Sequence, residues 1–512
     1  MPDSLDFAGV DFSYDTLASA LITDLSVRFG RGWTGIGGAN GTGKTTLLRL
    51  AAGELTPTGG MIRSVTPAMY CPQRTDVPPE DLADLLASTD GPAYRLRGSL
   101  GVEDNWLDRW DTLSHGERKR AQIAVMIRRE PAVLAVDEPS NHIDAEAREL
   151  LINALRSFRG IGLLVSHDRT MLDDLCDRCL FLDPPYAPVL RPGGYTKGMQ
   201  QNRSDGQRAQ AMHDKARREV KQVKKTMIDR RERASREHKV RSKRGLARKD
   251  HDARAKINTA RLTDSKSGAS LRQVQGRMKQ AENRLAGVHV KNQLDMGFWV
   301  PQSRCNMDYL LRVEPCTIPM GSATSEPSAC LHVPELQVRP DDRIAVTGRN
   351  GAGKSTLIHF LMEHMRLPQK RVMWMPQEIS TDESVAILES VRQTPPQQLG
   401  RLMNVISRLG SQPQRLLQTE QPSPGEVRKL LLALGVVNAA SFIVMDEPTN
   451  HLDLPSIRCL EDALAECPCA LLLVSHDDSF LKKLTKTRWD IVRDDDSDST
   501  LQVTDTYTTE EI

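Results

Sequence analysis

Gly38-Ala39-Asn40-Gly41-Thr42-Gly43-Lys44-Thr45 and Gly348-Arg349-Asn350-Gly351-Ala352-Gly353-Lys354-Ser355 are two versions of one eight-residue loop, and the rest of this 512-residue chain can be laid out from them. Lys44 and Lys354 are 310 residues apart, while Asp137 and Asp446, His167 and His476, and Ser114 and Ser423 are each 309 apart. An offset that survives through four features marks an internal duplication. Each loop joins an apolar, glycine-rich strand end to a helix, the setting in which glycines let backbone N–H groups converge on phosphate oxygens. Gly38, Asn40, Gly41 and Gly43 form one cradle, and Gly348, Asn350, Gly351 and Gly353 the other. Lys44 and Lys354 are placed to reach β- and γ-phosphates. The hydroxyls of Thr45 and Ser355 are placed for Mg²⁺, and Thr46 and Thr356 continue each cradle into its helix.

The chemistry expected of such a loop follows in order. Val133-Leu134-Ala135-Val136 and Phe442-Ile443-Val444-Met445 are continuous apolar runs, as in parallel strands covered by helices on both faces. Each delivers a carboxylate pair. Asp137 and Asp446 are expected to hold Mg²⁺ through water, and Glu138 and Glu447 to orient and deprotonate the attacking water. A glutamate after a core strand is often only a solvated strand end, but here each is followed by Pro-Ser/Thr-Asn-His. Ser166-His167-Asp168 and Ser475-His476-Asp477 end two further apolar strands, where His167 and His476 can sense a γ-phosphate. Gln73 and Gln377, each after a proline, are read as joining Mg²⁺ and the water to the rest of each half. Tyr14 stands at the spacing of an adenine-stacking aromatic; the second half has none at the matching offset. The chain is therefore expected to be an α/β ATP hydrolase with two phosphate-loop domains, using ATP and Mg²⁺.

Net charge is only +2, yet Arg203 to Arg284 holds 26 Lys or Arg against 10 Asp or Glu, a local +16 set against −14 elsewhere. Such segregation suits a segment that meets polyanions. Within it Ala209, Met212, Ala216, Val220, Val223 and Met227, and then Leu271, Val274, Met278, Ala281 and Leu285, recur at helical spacing in narrow stripes, predicting a two-helix hairpin whose apolar residues pack on each other. The expected domains are residues 1–200, a basic helical hairpin 201–290 with its tip at about 241–270, a second phosphate-loop domain 291–494, and an acidic disordered tail 495–512. Neither a secretion signal nor a membrane span is expected, because the N-terminus is neither basic nor apolar and the apolar runs are short. The nine cysteines, including Cys176-x-x-Cys179 and Cys467-x-Cys469, are read as buried or idle thiols without a second ligand pair for a metal.

With these residues in place the chain resembles the ATP-binding cassette superfamily and, within it, the soluble twin-cassette F subfamily (ABC-F) that acts on ribosomes. Asp446 to Asp453, DEPTNHLD, matches that subfamily's signature without change, and Asp137 to Asp144 departs only at Ser140 and Ile143. The resemblance covers nearly the whole chain. It implies that two ATPs are held head to tail, so that Ser114, Gly116 and Glu117 would face Lys354, and Ser423, Gly425 and Glu426 would face Lys44. Pro422 and Pro424 depart from the subfamily pattern. Because proline removes an N–H donor where a helix start should point at phosphate, unequal sites are expected, with the Lys44 site the weaker hydrolyser.

The resemblance also implies a cytoplasmic monomer whose hairpin enters the ribosomal exit site and approaches P-site tRNA. That role is carried to Arg241, Lys243, Arg244, Arg248, Lys249, Arg254 and Lys256 as contacts to ribosomal RNA. No Phe, Tyr or Trp occurs from Arg203 to Arg284, so phosphate gripping is expected in place of base stacking. The absence of an arm after Gln73 or Gln377, where some housekeeping members carry one, points to the antibiotic-resistance members. A drug-independent translation factor is the alternative, and the ATPase subunit of a transporter a distant one.

Overall fold

The computed structural model describes residues 4–15, 20–63, 66–140, 143, 145–184, 186–240, 264–287, 303–320, 329–409, 411, 413–419, 422–450, 452–493 and 498–505. The chain forms two compact units. One is made of Met1–Gly198 with Asp295–Ile512, and the other is Met199–Leu294.

The first half of the larger unit contributes β1 (Ser4–Phe12), β2 (Ile22–Gly30), β3 (Gly32–Gly38), β4 (Gly59–Arg63), β5 (Ala68–Cys71), β6 (Val133–Asp137), β7 (Ile161–Val165), β8 (Arg178–Leu182) and β9 (Val189–Pro192). An antiparallel sheet of order β2-β1-β4 accompanies a six-stranded sheet of order β5-β6-β7-β3-β8-β9, parallel except where β9 joins β8. Every residue of β6 and β7 is buried, the burial expected of an apolar run with helices on both faces. The phosphate-loop helix Lys44–Ala51 docks Leu47, Leu48 and Leu50 into the core that holds Ile36, Val133, Ala135 and Leu163. Each fully buried aliphatic side chain there stabilises by about 1.5–3 kcal/mol.

The second half contributes β10 (Leu311–Val313), β11 (Cys316–Met320), β12 (Ala329–Val333), β13 (Leu336–Val338), β14 (Arg343–Gly348), β15 (Val372–Met375), β16 (Phe442–Asp446), β17 (Ala470–Val474), β18 (Thr487–Arg493) and β19 (Ser499–Asp505). Its large sheet runs β11-β12-β19-β18-β14-β17-β16-β15. The core β18-to-β15 order repeats that of β8-β3-β7-β6-β5, so the duplication read from the offsets is a duplication of sheet topology.

One expectation is corrected here. The tail from residue 495 does not lack structure throughout, because Ser499–Asp505 is β19, paired along its whole length with β18 and also with β12. Its charged surroundings obscured a strand in which Ser499 and Leu501 are buried while Val503 is exposed. Cys467 and Cys469 are buried between the helix Leu454–Ala465 and β17, with their sulfurs in contact and their Cα atoms 5.6 Å apart. Cys176 and Cys179 are buried, and burial pushes both thiols well above their ordinary value.

In the smaller unit the helices Tyr195–Val240 and Asp264–Ala286 carry the expected stripes. Ala216, Val274 and Ala281 are buried, and Arg284 pairs with Glu219 at 3.3 Å. Met212 departs from its stripe and is 62% exposed. The tip residues Arg241, Lys243, Arg244, Arg248, Lys249, Arg254 and Lys256 lie outside the described residues. No helix among the described residues is long and apolar enough to cross a membrane.

Candidate active site

The two phosphate loops are built alike. Gly43 and Gly353 cap the helix N-termini with φ of 90° and 105°, a left-handed turn that a Cβ would strain. Lys44 Nζ donates to the carbonyls of Gly38 (2.9 Å) and Ala39 (3.0 Å) and approaches Asn40 Oδ1 at 3.5 Å, while Lys354 Nζ donates to those of Gly348 (2.7 Å) and Arg349 (3.3 Å). Burial pulls the Lys44 ammonium below its ordinary value, against the opposing field of Glu138, Asp453 and Asp137. Tyr14 packs edge-on against Phe12, and its hydroxyl lies 3.1 Å from Thr46 Oγ1, beside the loop that an adenine-stacking residue must adjoin.

Behind each loop stands the strand-end carboxylate pair. Thr45 Oγ1 donates to Asp137 Oδ2 at 2.8 Å, and Ser355 Oγ to Asp446 Oδ2 at 3.1 Å. A hydroxyl and a carboxylate converging from two elements are the hard oxygen donors that Mg²⁺ takes, so the residues present fit that ion. Burial raises Asp446 above the ordinary carboxylate range. Glu138 and Glu447 are buried and pushed up to about 8, first by burial; repulsion from Asp137 or Asp446 adds to it, and Lys44 or Lys354 opposes. Each sits against its histidine: His167 Nε2 is 3.2 Å from Glu138 Oε1, and His476 Nε2 is 3.6 Å from Glu447 Oε1. The histidine backbones also reach back, with His167 N–H donating to Glu138 Oε2 at 3.0 Å and that of His476 to Glu447 Oε2 at 3.4 Å.

Three features of this chemistry lie outside the motifs read from the sequence. Glu138 and Glu447 adopt φ of 44° and 48°, left-handed values for side-chain-bearing residues, held by their N–H bonds to Val165 O (2.8 Å) and Val474 O (2.9 Å). Strain of this kind costs about 1–3 kcal/mol and concentrates at functional sites. Tyr70 donates to Asp137 Oδ2 at 3.0 Å, whereas Trp374 occupies the matching strand position, paired with Val444 as Tyr70 is with Ala135. Lys119 and Arg428, another pair 309 apart, are buried cations on the two signature helices. Lys119 Nζ donates to Pro72 O (2.5 Å) and Asp137 O (3.4 Å), and Arg428 to Gln377 O (2.6 Å) and Glu447 O (3.0 Å). Each thereby ties the glutamine loop to the carboxylate strand. Their shared 309-residue offset is the one signal of them in the sequence.

The signature serines begin helices with complete capping boxes. Ser114 and Glu117 bond reciprocally, as do Ser423 and Glu426, and Gly116 and Gly425 fall in the first turns. Pro424 takes the first helical position, where a backbone N–H has no intrahelical partner in any case. Both serines are exposed.

The two halves meet along the loops after the carboxylates. A cavity at the second phosphate loop is lined by Asn350, Lys354, Ser355, Gln377, Asp446, Glu447 and His476, and also by Ser140, Ile143, Arg148, His167 and Asp168 of the first half. Ser114 is not among its lining residues. The first loop receives the reciprocal contact, since Asn40 N–H donates to Asp453 Oδ2 at 2.7 Å. Arg169 pairs with the buried Glu461 at 2.7 Å, and Arg349 with Glu146 at 3.1 Å.

Comparison with known proteins adds that the family profile described as "ABC transporter" matches residues 22–141 and 331–450. The chain is 25% identical to "Ribosome protection protein VmlR" of Bacillus subtilis (strain 168), over 89% of this chain and 80% of that protein. It is 28% identical to "Tylosin resistance ATP-binding protein TlrC" of Streptomyces fradiae, over 94% of this chain and 96% of the relative. Among solved structures, the complex of archaeal ribosomal stalk protein aP1 with archaeal ribosome recycling factor aABCE1 superposes with a TM-score of 0.60 at 18% identity, covering 96% of this chain and 89% of that one, a likeness of fold.

Proposed function

Because the chain belongs to the ATP-binding cassette family, and within it to the twin-cassette ABC-F group of ATP hydrolases, we propose that it closes on two Mg-ATP, binds the ribosome in that state through its basic hairpin, and leaves after hydrolysis. Mg²⁺ would be held by Thr45 with Asp137 and by Ser355 with Asp446, with Gln73 and Gln377 nearby, and supplies charge neutralisation at the phosphates. Glu138 and Glu447 take the proton of the attacking water, and His167 and His476 orient them. The protein would act in the cytoplasm as a monomer, its two cassettes pairing within one chain.

The observation that carries the ribosome assignment is the hairpin's charge, +16 between Arg203 and Arg284 without one aromatic residue. That composition suits a folded polyanion gripped by its phosphates, as ribosomal RNA and P-site tRNA would be. Relatives named for ribosome protection and for tylosin resistance favour the more specific form of the proposal, in which the bound protein protects the ribosome from antibiotics seated near the peptidyl-transferase centre or exit tunnel. Relatives named only as ATP-binding proteins, such as "Probable ATP-binding protein YheS" of Escherichia coli (strain K12), leave room for a drug-independent translation factor.

Ribosome co-sedimentation of the double variant Glu138→Gln, Glu447→Gln tests the first part. Retention in ATP and release in ADP is expected; no retention at any salt concentration would refute ribosome binding. Expression in a drug-sensitive host tests the second. Protection against drugs of the peptidyl-transferase centre or tunnel, with an unrelated drug class unaffected, separates resistance from the translation-factor reading.

A further inference from the structure

Arg148 lies in the helix Ala145–Arg156, which follows the first DEPSNHID segment, yet its side chain serves the other cassette's site. Its Nη1 donates to the backbone carbonyl of His476 at 3.2 Å and stands 3.5 Å from Asp168 Oδ2, with the side chain only 14% exposed. Asp168 itself caps the next helix by accepting from Met171 N–H. The guanidinium is thus held from its own side by a fixed carboxylate and presents an N–H to the partner cassette. There His476 occupies the centre of the Lys354 site: its Nε2 lies 3.2 Å from Asn350 Oδ1, 3.5 Å from Lys354 Nζ and 3.6 Å from Glu447 Oε1. Arg148, Lys354, Glu447 and His476 line one cavity.

The duplication makes this contact one-sided. The position 309 residues after Arg148 is Ile457, which is 1% exposed. An aliphatic side chain donates no hydrogen bond, so the His167 carbonyl has no equivalent support from that position.

We infer that Arg148 is a positioning residue for the Lys354 hydrolytic site, supplied across the cassette interface, and that Ile457 at the repeat position cannot give the Lys44 site the same contact. Arginine suits the role because its charge does not titrate in proteins and its planar fork holds a carboxylate and a carbonyl at once. Fixing the His476 carbonyl fixes the loop from which the ring approaches Glu447, and so the geometry of the base that takes the water proton. The role rests on ATP hydrolysis at the Lys354 site and is independent of ribosome binding.

The test is ATP turnover by the full chain carrying Arg148→Met, measured in two backgrounds. Glu138→Gln leaves the Lys354 site with its base, and Glu447→Gln leaves the Lys44 site with its own. Loss of orientation at a base typically costs on the order of tenfold or more in rate. A fall of about tenfold in kcat is therefore expected in the Glu138→Gln background, with KM for ATP changed by less than about twofold and partial recovery in Arg148→Lys. The Glu447→Gln background should change by less than about twofold.

Site-resolved trapping of vanadate with 8-azido-ATP, read from the labelled peptides, makes the same comparison with both glutamates in place. Arg148→Met should deplete label from the Lys354 cassette alone. Equal losses at the two sites would reduce Arg148 to an interface strut, and unchanged trapping at the Lys354 cassette would overturn the inference outright.

Discussion

Replacing Glu138 or Glu447 by Gln should stabilise the nucleotide-free, metal-free chain at alkaline pH and leave it nearly unchanged at acid pH. Both carboxyls are buried, and burial moves each from an ordinary 4.5 to about 8. The native state therefore binds these protons more tightly than the unfolded chain does. Full stability is present below the unfolded value of about 4.5 and is lost as pH climbs through about 8. Each carboxylate carries a ceiling of about 5 kcal/mol when ionised in both states. Relaxation around a buried charge and entry of water reduce this, so about 1–3 kcal/mol per site is expected. Glutamine is close in shape and keeps an acceptor for the histidine backbone N–H, so it removes the charge without opening a cavity. At roughly 2–4 °C per kcal/mol for a domain of this size, each variant should melt about 2–12 °C above the parent near pH 9 and within about 1 °C of it near pH 5. Thermal scans in EDTA across that range are the assay. The same increment at both pH values, or a variant that melts earlier at alkaline pH, would refute the assignment of burial as the dominant influence on these carboxyls.

Lys119→Met should leave the carbonyls of Pro72 and Asp137 without their shared donor, at a cost of about 1–3 kcal/mol per buried group, read as a lower urea midpoint; Lys119→Arg, copying Arg428, should retain both stability and ATP turnover. Tyr14→Ala should raise the KM for ATP at the Lys44 site severalfold with little change in kcat, and Tyr14→Phe much less, because only the hydroxyl contact to Thr46 is lost; kinetics in the Glu447→Gln background isolate that site. Neutralising Arg241, Lys243, Arg248 and Lys249 together should weaken ribosome binding and flatten its log–log salt dependence by roughly 3, at about 0.7–0.9 per phosphate contact; an unchanged slope in filter binding would remove the hairpin tip from the interface.

The parts of the site that are local in sequence were legible there. Loops, strand ends and helix caps advertise themselves through glycine spacing, apolar runs and Ser-x-x-Glu, and the offset between halves confirmed each by repetition. What escaped depends on convergence in space. Tyr70 belongs to an ordinary strand until β5 pairs with β6 and brings its hydroxyl to Asp137. Lys119 looks like one more charge on a polar helix until packing of that helix buries it over two loop carbonyls. The left-handed Glu138 and Glu447 are invisible because their residue type disfavours that conformation, and only the hydrogen bonds to Val165 and Val474 impose it. The tail's acidic composition hides β19, which exists through its pairing with β18 across the sheet.

The same duplication that exposes the fold also shows where the halves have parted, and the departures fall on opposite sides of one balance. At the helix start that the family arrangement sets against Lys44, Pro424 removes an N–H donor. The capping box of Ser423 and Glu426 is intact, so the helix itself loses nothing and the cost falls only on what the helix end can offer a phosphate. At the helix start that the same arrangement sets against Lys354, Ser114 is followed by His115, which keeps that donor, and Arg148 donates to the His476 carbonyl from across the interface. One change subtracts from the Lys44 site and the other adds to the Lys354 site, through residues in different cassettes. The expectation of a slower Lys44 site thus rests on two substitutions in different cassettes. Two such sites would have the Lys354 side hydrolyse first while ATP at Lys44 still holds the cassettes together, so that the lifetime of the closed state is set by the weaker site.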